Sequence, residues 1–231
     1  MMPELTYHCT KDGFVDIEEF RPSKLINEIP KWFKDMPMEA MDGIVPTARR
    51  CPSFVDLFKS AYVMKSWEDM EFFFFPQENR WEYSGATSDF DISQEHDNLQ
   101  LLDHIPYKGY ERIIKPASPW MLETPKGYSV YQLPYPFDFQ QDFDVWPGIT
   151  HTDFYHETNV QLFVRKKSDD PFSFKIKRGQ PLCLHVPFRR EDEPWTAQYT
   201  NDGERYMKKS FMISLTKFKN GYRSLTKGWI K

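Results

Sequence analysis

The sequence predicts an α+β fold, mainly an antiparallel β-sandwich, jelly-roll-like, with a few packed helices. Three observations carry that expectation. From residue 105 onward, short apolar runs recur at regular spacing with turn-forming residues between them. Upstream, Phe54, Leu57, Phe58, Ala61 and Tyr62 fall on one stripe at three-to-four spacing behind Pro52, as in an amphipathic helix. Finally, Phe, Tyr and Trp make up 17% of the chain, so there is ample apolar area to offset chain entropy and disorder is excluded.

In order along the chain, residues 1–50 read as an irregular arm, interrupted by Pro22, Pro30, Pro37 and Pro46. A short helix is expected after Pro22-Ser23, carrying Leu25, Ile26 and Ile29 and ended by Pro30, with Trp32 and Phe33 as packing anchors on the core. Residues 51–104 read as a helix over Cys51 to Trp67, then a hairpin of Glu71–Phe75 and Arg80–Tyr83 split by Pro76 to Asn79. A polar surface excursion follows from Gly85 to Leu102, with His96 and His104 beside acidic residues, solvated rather than metal-bound. Residues 105–200 hold the sandwich, with strands at Ile113-Ile114, Trp120–Glu123, Tyr128–Leu133, Thr158–Val164, Phe172–Ile176 and Pro181–Val186. Residues 201–231 read as a C-terminal helix with Tyr206, Met207, Phe211, Leu215 and Phe218 on the packed face. The whole, 1–231, reads as one domain.

Charge and cysteine content exclude several classes. With 30 Lys and Arg against 34 Asp and Glu, the chain has no footprint for wrapping duplex nucleic acid. Cys9, Cys51 and Cys183 are widely spaced with no CxxC, so a reducing compartment fits better than a disulfide framework or zinc ribbon. No signal peptide or membrane span is legible, which places the protein in the cytoplasm of a host cell or in a virion. Its expected partner is another protein or a second copy of itself, not a membrane.

One constellation carries possible chemistry. His151 and Asp153 stand at i and i+2, on one face of an extended segment, and His185 lies on a later strand. Two histidines and a carboxylate on a β-sandwich match the facial triad that holds Fe(II) with positions open for 2-oxoglutarate and oxygen. Arg189 or Arg190 would bind the cosubstrate's carboxylate, and Trp146, Phe154 or Tyr155 would line the pocket. His156 and Glu157 compete as ligands. The plainer reading makes His151 and Asp153 turn-capping groups and His185 a hydrogen-bonded strand residue. Cys51, before Pro52, reads as structural.

The strings Thr124–Ser129, Pro147–Phe154, Lys177–Leu182 and Val186–Glu191, with Ile29–Phe33 and Cys51–Asp56 upstream, resemble a protein family common in marine tailed-phage, cyanophage-like, genomes. The likeness spans roughly residues 22 to 191 and implies a phage or phage-exchanged origin and one co-folded unit, with no activity attached. His151 stands where members carry Asp, and His185 where a Gln is usual. A shorter likeness, over Pro147–Asp153 and Gly179–Leu184, is to trimeric deoxyuridine triphosphatases, whose glycine-rich and serine motifs are missing here. The expected function is that of a phage-type accessory or interaction protein without catalysis. The alternative is an Fe(II)/2-oxoglutarate-dependent oxygenase built on His151, Asp153 and His185.

Overall fold

Strand alternation sets the architecture. In the computed structural model, the run Met70–Phe75 alternates buried and half-buried residues, so Met70, Phe72 and Phe74 enter the core while Phe73 and Phe75 face the other way. Four successive Phe are thus accommodated by pleating. The structure describes residues 3–41, 45–85, 94–96, 101–139, 142–191 and 195–216, with side chains described except at 45, 46, 94–96 and 212–216.

The chain forms two compact units, Met1–Trp32 with Leu57–Arg190, and Phe33–Asp56 with Glu191–Lys231. In the first unit a five-stranded sheet has the order β13-β11-β16-β5-β2, made of β2 (Ser23–Lys24), β5 (Tyr62–Lys65), β11 (Tyr128–Pro134), β13 (Gly148–Thr150) and β16 (Pro181–Arg189). A four-stranded sheet contains β8 (Gln94–His96), β9 (Tyr110–Lys115), β12 (Phe143–Val145) and β14 (Leu162–Arg165). Three further strands, β6 (Met70–Phe75), β7 (Arg80–Gly85) and β15 (Phe172–Ile176), pair together, as do β1 (Thr6–Cys9) and β10 (Trp120–Glu123). The described pairings in these sheets are antiparallel.

One apolar cluster joins the sheets. Met64 of β5 and Cys183 of β16 meet Phe72 and Phe74 of β6, Phe174 of β15, and Phe143, Leu162 and Val164 of the four-stranded sheet. Facing sheets that share a core in this way make a sandwich. Its aromatic members interlock: Phe174 lies 5.2 Å from Phe72 and 5.8 Å from Phe74, ring to ring.

The second unit holds the two-residue ladder of β3 (Glu39–Ala40) and β4 (Val45–Pro46), an Arg50–Glu39 ion pair, and Arg49 donating to the Met36 carbonyl at 2.9 Å. Its helix α3 (Gly203–Thr216) begins at Asp202, whose carbonyl accepts from Arg205 N at 3.1 Å. The helices α1 (Lys31–Asp35) and α2 (Pro52–Ser60) run across the unit boundaries in sequence. Among the described residues no helix is long and apolar enough to cross a membrane.

The α+β class and the hairpin β6–β7 match the sequence reading, the turn closing through Asn79 at a left-handed φ of 50°. Several boundaries differ. The helix expected over Cys51 to Trp67 is nine residues long, because Tyr62–Lys65 pairs with β16 and is buried there as a strand. The helix expected after Pro22 is one 3-10 turn, Leu25–Asn27, which buries Leu25, and Ile29 is buried just beyond it. Phe33 is buried, but Trp32 is half exposed. On α3, Tyr206, Met207 and Phe211, expected on the packed face, are exposed, and the Leu215 side chain and Phe218 lie outside the described residues. Much of the polar excursion, with the His96 side chain, lies outside the described residues, and His104 is exposed.

Because Phe72 is fully buried among Phe174, Trp81 and Tyr83, Phe72→Ala should leave a cavity and lower unfolding free energy by about 3–5 kcal/mol, read from urea denaturation. The half-buried neighbour Phe73 sits on the opposite face of β6, and its replacement by Ala should cost clearly less.

Candidate functional site

The candidate residues lie around β11, β13 and β16, and strand register decides which of them meet. On β11 and β16, Gln132 pairs with His185 and Ser129 with Phe188. Residues three apart on a strand point to opposite faces. His185 therefore shares Gln132's face, which is the core face that also carries Cys183. The His151 ring, one residue past β13, meets Ser129 on the outer face, with its Nδ1 2.8 Å from the Ser129 hydroxyl.

Nor does the chain stay extended through His151 and Asp153. The N–H groups of Phe154 and Tyr155 both donate to the His151 carbonyl at 3.0 Å, so the segment is a turn. A hydrogen bond of 2.7 Å between the Thr124 and Thr152 hydroxyls staples this turn to the loop before β11. Asp153 then meets His151 only through Arg190, whose Nη1 lies 3.2 Å from His151 Nδ1 and 2.8 Å from Asp153 Oδ1. Its carboxylate accepts from Gly127 N at 2.9 Å and from the Arg190 guanidinium, at 2.8 Å for the Nη1 to Oδ1 contact. Gly127 supplies that N–H from a left-handed φ of 82°, where a glycine is needed.

Arg190 organises the cluster. Its Nη1 also donates to Ser129 Oγ at 2.8 Å, and its backbone N–H to the Gly127 carbonyl at 2.9 Å. The Ser129 hydroxyl is then left to donate to His151 Nδ1, which places the ring proton on Nε2. The hydrogen bond from Arg190, reinforced by that from Gly127, holds the Asp153 carboxyl down to about 2. Phe154 completes the group: the guanidinium lies 5.1 Å from its ring centroid, and the His151 ring is 6.5 Å away edge-on.

His185 belongs to a separate buried chain of donors. Tyr7 donates its hydroxyl proton to His185 Nδ1 at 3.0 Å, and His185 Nε2 faces Cys183 Sγ at 3.7 Å. Cys183 Sγ in turn points to Gln132 Oε1 at 3.9 Å, and Gln132 Nε2 donates to the Asn159 carbonyl. Each donor meets an acceptor only if the imidazole is neutral with its proton on Nε2. Burial pushes the His185 imidazole down to about 4, and burial likewise raises the Tyr7 and Cys183 groups.

The facial triad is thus corrected. His151, Asp153 and Arg190 come together, and His185 lies on the other face of the sheet. Among the described residues no group of three His, Cys, Asp or Glu side chains is placed to hold a metal ion. The residues do not fit an iron centre, since both Asp153 oxygens are taken by Arg190 and Gly127. Arg190 is bound to Asp153 rather than open to a cosubstrate, and Arg189 is exposed at the end of β16, opposite Tyr128. The competing ligands are committed too: His156 Nδ1 lies 3.1 Å from the Leu122 carbonyl, and Glu157 accepts from the Tyr155 hydroxyl at 2.6 Å. Trp146 stacks flat on Phe163 at 4.3 Å.

Residues that the sequence reading passed over give this region its surface. Ile149, Tyr131 and Val186 lie side by side across β13, β11 and β16, and Phe188 stacks on Tyr131 at 4.1 Å. Ile149 is 53% exposed and Phe154 69% exposed. The row is legible only once three strands are in register.

No protein-family model matches the sequence, and no curated protein matches it. Some solved structures are similar. The dUTPase of EIAV matches over 62% of this chain and 86% of its own length, with 10% identity and a TM-score of 0.32. A mutant dUTPase from phage phi11 of S. aureus matches over 86% and 99%, with 9% identity and a TM-score of 0.38. A mutant dUTPase of Staphylococcus bacteriophage 80alpha covers the same shares at 9% identity and a TM-score of 0.35. Likenesses this distant carry no conclusion about the site.

Two outcomes test the two clusters. A histidine with its folded-state value near 4 and its unfolded value near 6.5 keeps its stability above pH 6.5 and loses it as pH falls toward 4. The loss should approach about 3 kcal/mol, and His185→Gln should remove most of it, as urea denaturation at pH 7 and at about pH 4.5 will show. For the outer cluster, Arg190→Met leaves the Asp153 carboxylate enclosed without its cation. It should lower Tm more than the double change Arg190→Met with Asp153→Asn. Asp153's own contribution is present above about pH 4 and disappears as pH falls toward 2.

Proposed function

We propose that this chain is a phage-type accessory protein that works by binding another protein, through the open end of the outer face of its five-stranded sheet. The observation that carries the reading is the apolar row Ile149, Tyr131, Val186 and Phe188, with Ile149 and Tyr131 exposed and Val186 and Phe188 half-buried, and with Phe154 exposed on the turn after β13. Exposed apolar side chains are common singly, but a contiguous group of aliphatic and aromatic residues on ordered strands is the composition of a protein contact. At the far end of the same face Val63 and Leu184 are buried, so the row is the uncovered part of an apolar sheet surface.

Preorganisation supports the same reading. Tyr131 and Phe188 are stacked, and Phe154 is held against a guanidinium that is itself fixed by its hydrogen bonds to Asp153, Ser129 and the Tyr128 carbonyl. A rigid aromatic anchor loses little conformational entropy on binding, which concentrates affinity in a few residues. His151, with Nε2–H directed away from the Ser129 contact, adds a hydrogen-bond donor at the margin. The phage assignment rests on the sequence resemblance through Thr124–Ser129 and Pro147–Phe154, which are the segments that build this corner.

The test is site-specific photo-crosslinking in the cell that carries the gene, with a photoreactive phenylalanine analogue at position 149. A single discrete protein adduct should form, and Phe154→Ala should reduce it by about tenfold, the size of a one-residue anchor loss. Adducts no different from those formed by the same analogue at the exposed Lys126 would overturn the proposal.

A further inference from the structure

Charge is unevenly distributed along the chain. Eight of its 30 Lys and Arg follow Asp202, accompanied by one carboxylate, Glu204. The first 202 residues therefore carry 22 bases and 33 acids, a formal −11 against +7 for the remainder. The near neutrality of the whole conceals an acidic body and a basic end.

Helix α3 is the described part of that end. Arg205, Lys208 and Lys209 stand at i, i+3 and i+4, on one side of the helix. Tyr206, Met207 and Phe211 are 59%, 65% and 61% exposed, and Met207 and Phe211 adjoin Lys208 around the helix. An isolated helix of this length is marginal in water, and helical stability in proteins comes mostly from packing an apolar face. The occupant of that face must therefore offer apolar contact and negative charge together.

The first unit presents such a surface at its N-terminal end. Between Asp12 and Glu19, Phe14 turns inward onto Phe20, at 4.9 Å between rings, and Val15 and Ile17 stay exposed. Asp12, Asp16 and Glu18 are exposed around them, as is Glu19, which pairs with Arg178 at 2.9 Å. The backbone here is held by Arg21 donating to the Val15 carbonyl and Lys65 to that of Glu18, so the acidic side chains sit on a fixed support.

We propose that α3 of one copy docks on the Asp12–Glu19 surface of a second copy, so that the chain self-associates through its own basic helix and acidic body. The edge of the helix where Met207 and Phe211 adjoin Lys208 meets Val15 and Ile17, and Lys208, 3.7 Å from Glu204 in its own helix, reaches with Arg205 toward Asp12, Asp16 and Glu18. A polyanion such as nucleic acid or an anionic bilayer offers charge to α3 but is repelled by a body of −11, whereas a second copy turns that body into the attractive partner. The contact shares no residue with the sheet face proposed above, so either can fail alone.

Charge exchange tests it in the full-length protein. One variant carries Lys208→Glu and Lys209→Glu, the other Asp16→Lys and Glu18→Lys, all at exposed positions, with folding checked by near-ultraviolet circular dichroism. In sedimentation velocity the unaltered chain should show association that weakens from about 0.05 M to about 0.5 M salt. Each variant alone should associate about tenfold less tightly or worse, because like charges then face each other. Mixed together, the two should regain association, since each now supplies the charge the other lacks. A chain that is monomeric at about 100 µM, variants that associate as the unaltered chain does, or a mixture without recovery would overturn the proposal. So would anionic vesicles or single-stranded DNA binding α3 while none of the samples self-associates.

Discussion

The seven-residue pairing of β11 with β16 is the constraint on which the rest of the first unit depends. It runs from Tyr128 opposite Arg189 to Pro134 opposite Cys183. A slip of one residue would carry Cys183 and His185 to the outer face and Leu184 and Val186 into the core position. Core, buried polar chain and outer row are thus set by one register. The two prolines in this ladder are compatible with it. Pro187 lies beyond His185, the last residue of β16 paired with β5, so its missing N–H removes nothing from that neighbour.

That register divides the polar groups between two faces. Inside, the polar atoms are linked in sequence from Tyr7 through His185, Cys183 and Gln132 to the Asn159 carbonyl, and none of these links needs a charge. They tie β1, which pairs with β10, to the central sheet. Outside, the polar cluster is ionic, and a single guanidinium joins the end of β16, the turn before β11 and the turn after β13. A charge-assisted pair suits the rim, where it remains partly hydrated, better than the interior, where desolvation would cancel its gain.

The strands that were legible in the sequence are those with local cues. Phe172–Ile176 alternates cleanly between Asp170-Pro171 and Arg178-Gly179, and its bounds are read correctly. The end of α2 was not legible, because Ala61-Tyr62-Val63-Met64 continues an apolar run that suits a helix stripe and a buried strand equally. β1 has only four residues and pairs with a strand more than a hundred positions away, so nothing nearby announces it. The triad failed for a related reason. Spacing placed His151 and Asp153 on one face only if the backbone stayed extended, and hydrogen bonds to the His151 carbonyl turn it. The face of His185 was fixed by its partner strand, which no local pattern reveals.

The atoms that an iron site would have used are the atoms the fold itself consumes. Asp153 gives both oxygens to Arg190 and Gly127, His151 gives Nδ1 to Ser129, and His185 gives Nδ1 to Tyr7 and turns Nε2 to Cys183. Freeing any of these would leave a buried donor or charge unmet, at a cost comparable with much of a domain's stability. On the outer face, by contrast, the groups left open are apolar or aromatic, with the far nitrogen of His151 at their margin. Side chains of that kind contribute through contact area and shape rather than through bond making, so a corner closed to coordination chemistry by its own hydrogen bonds stays open to recognition.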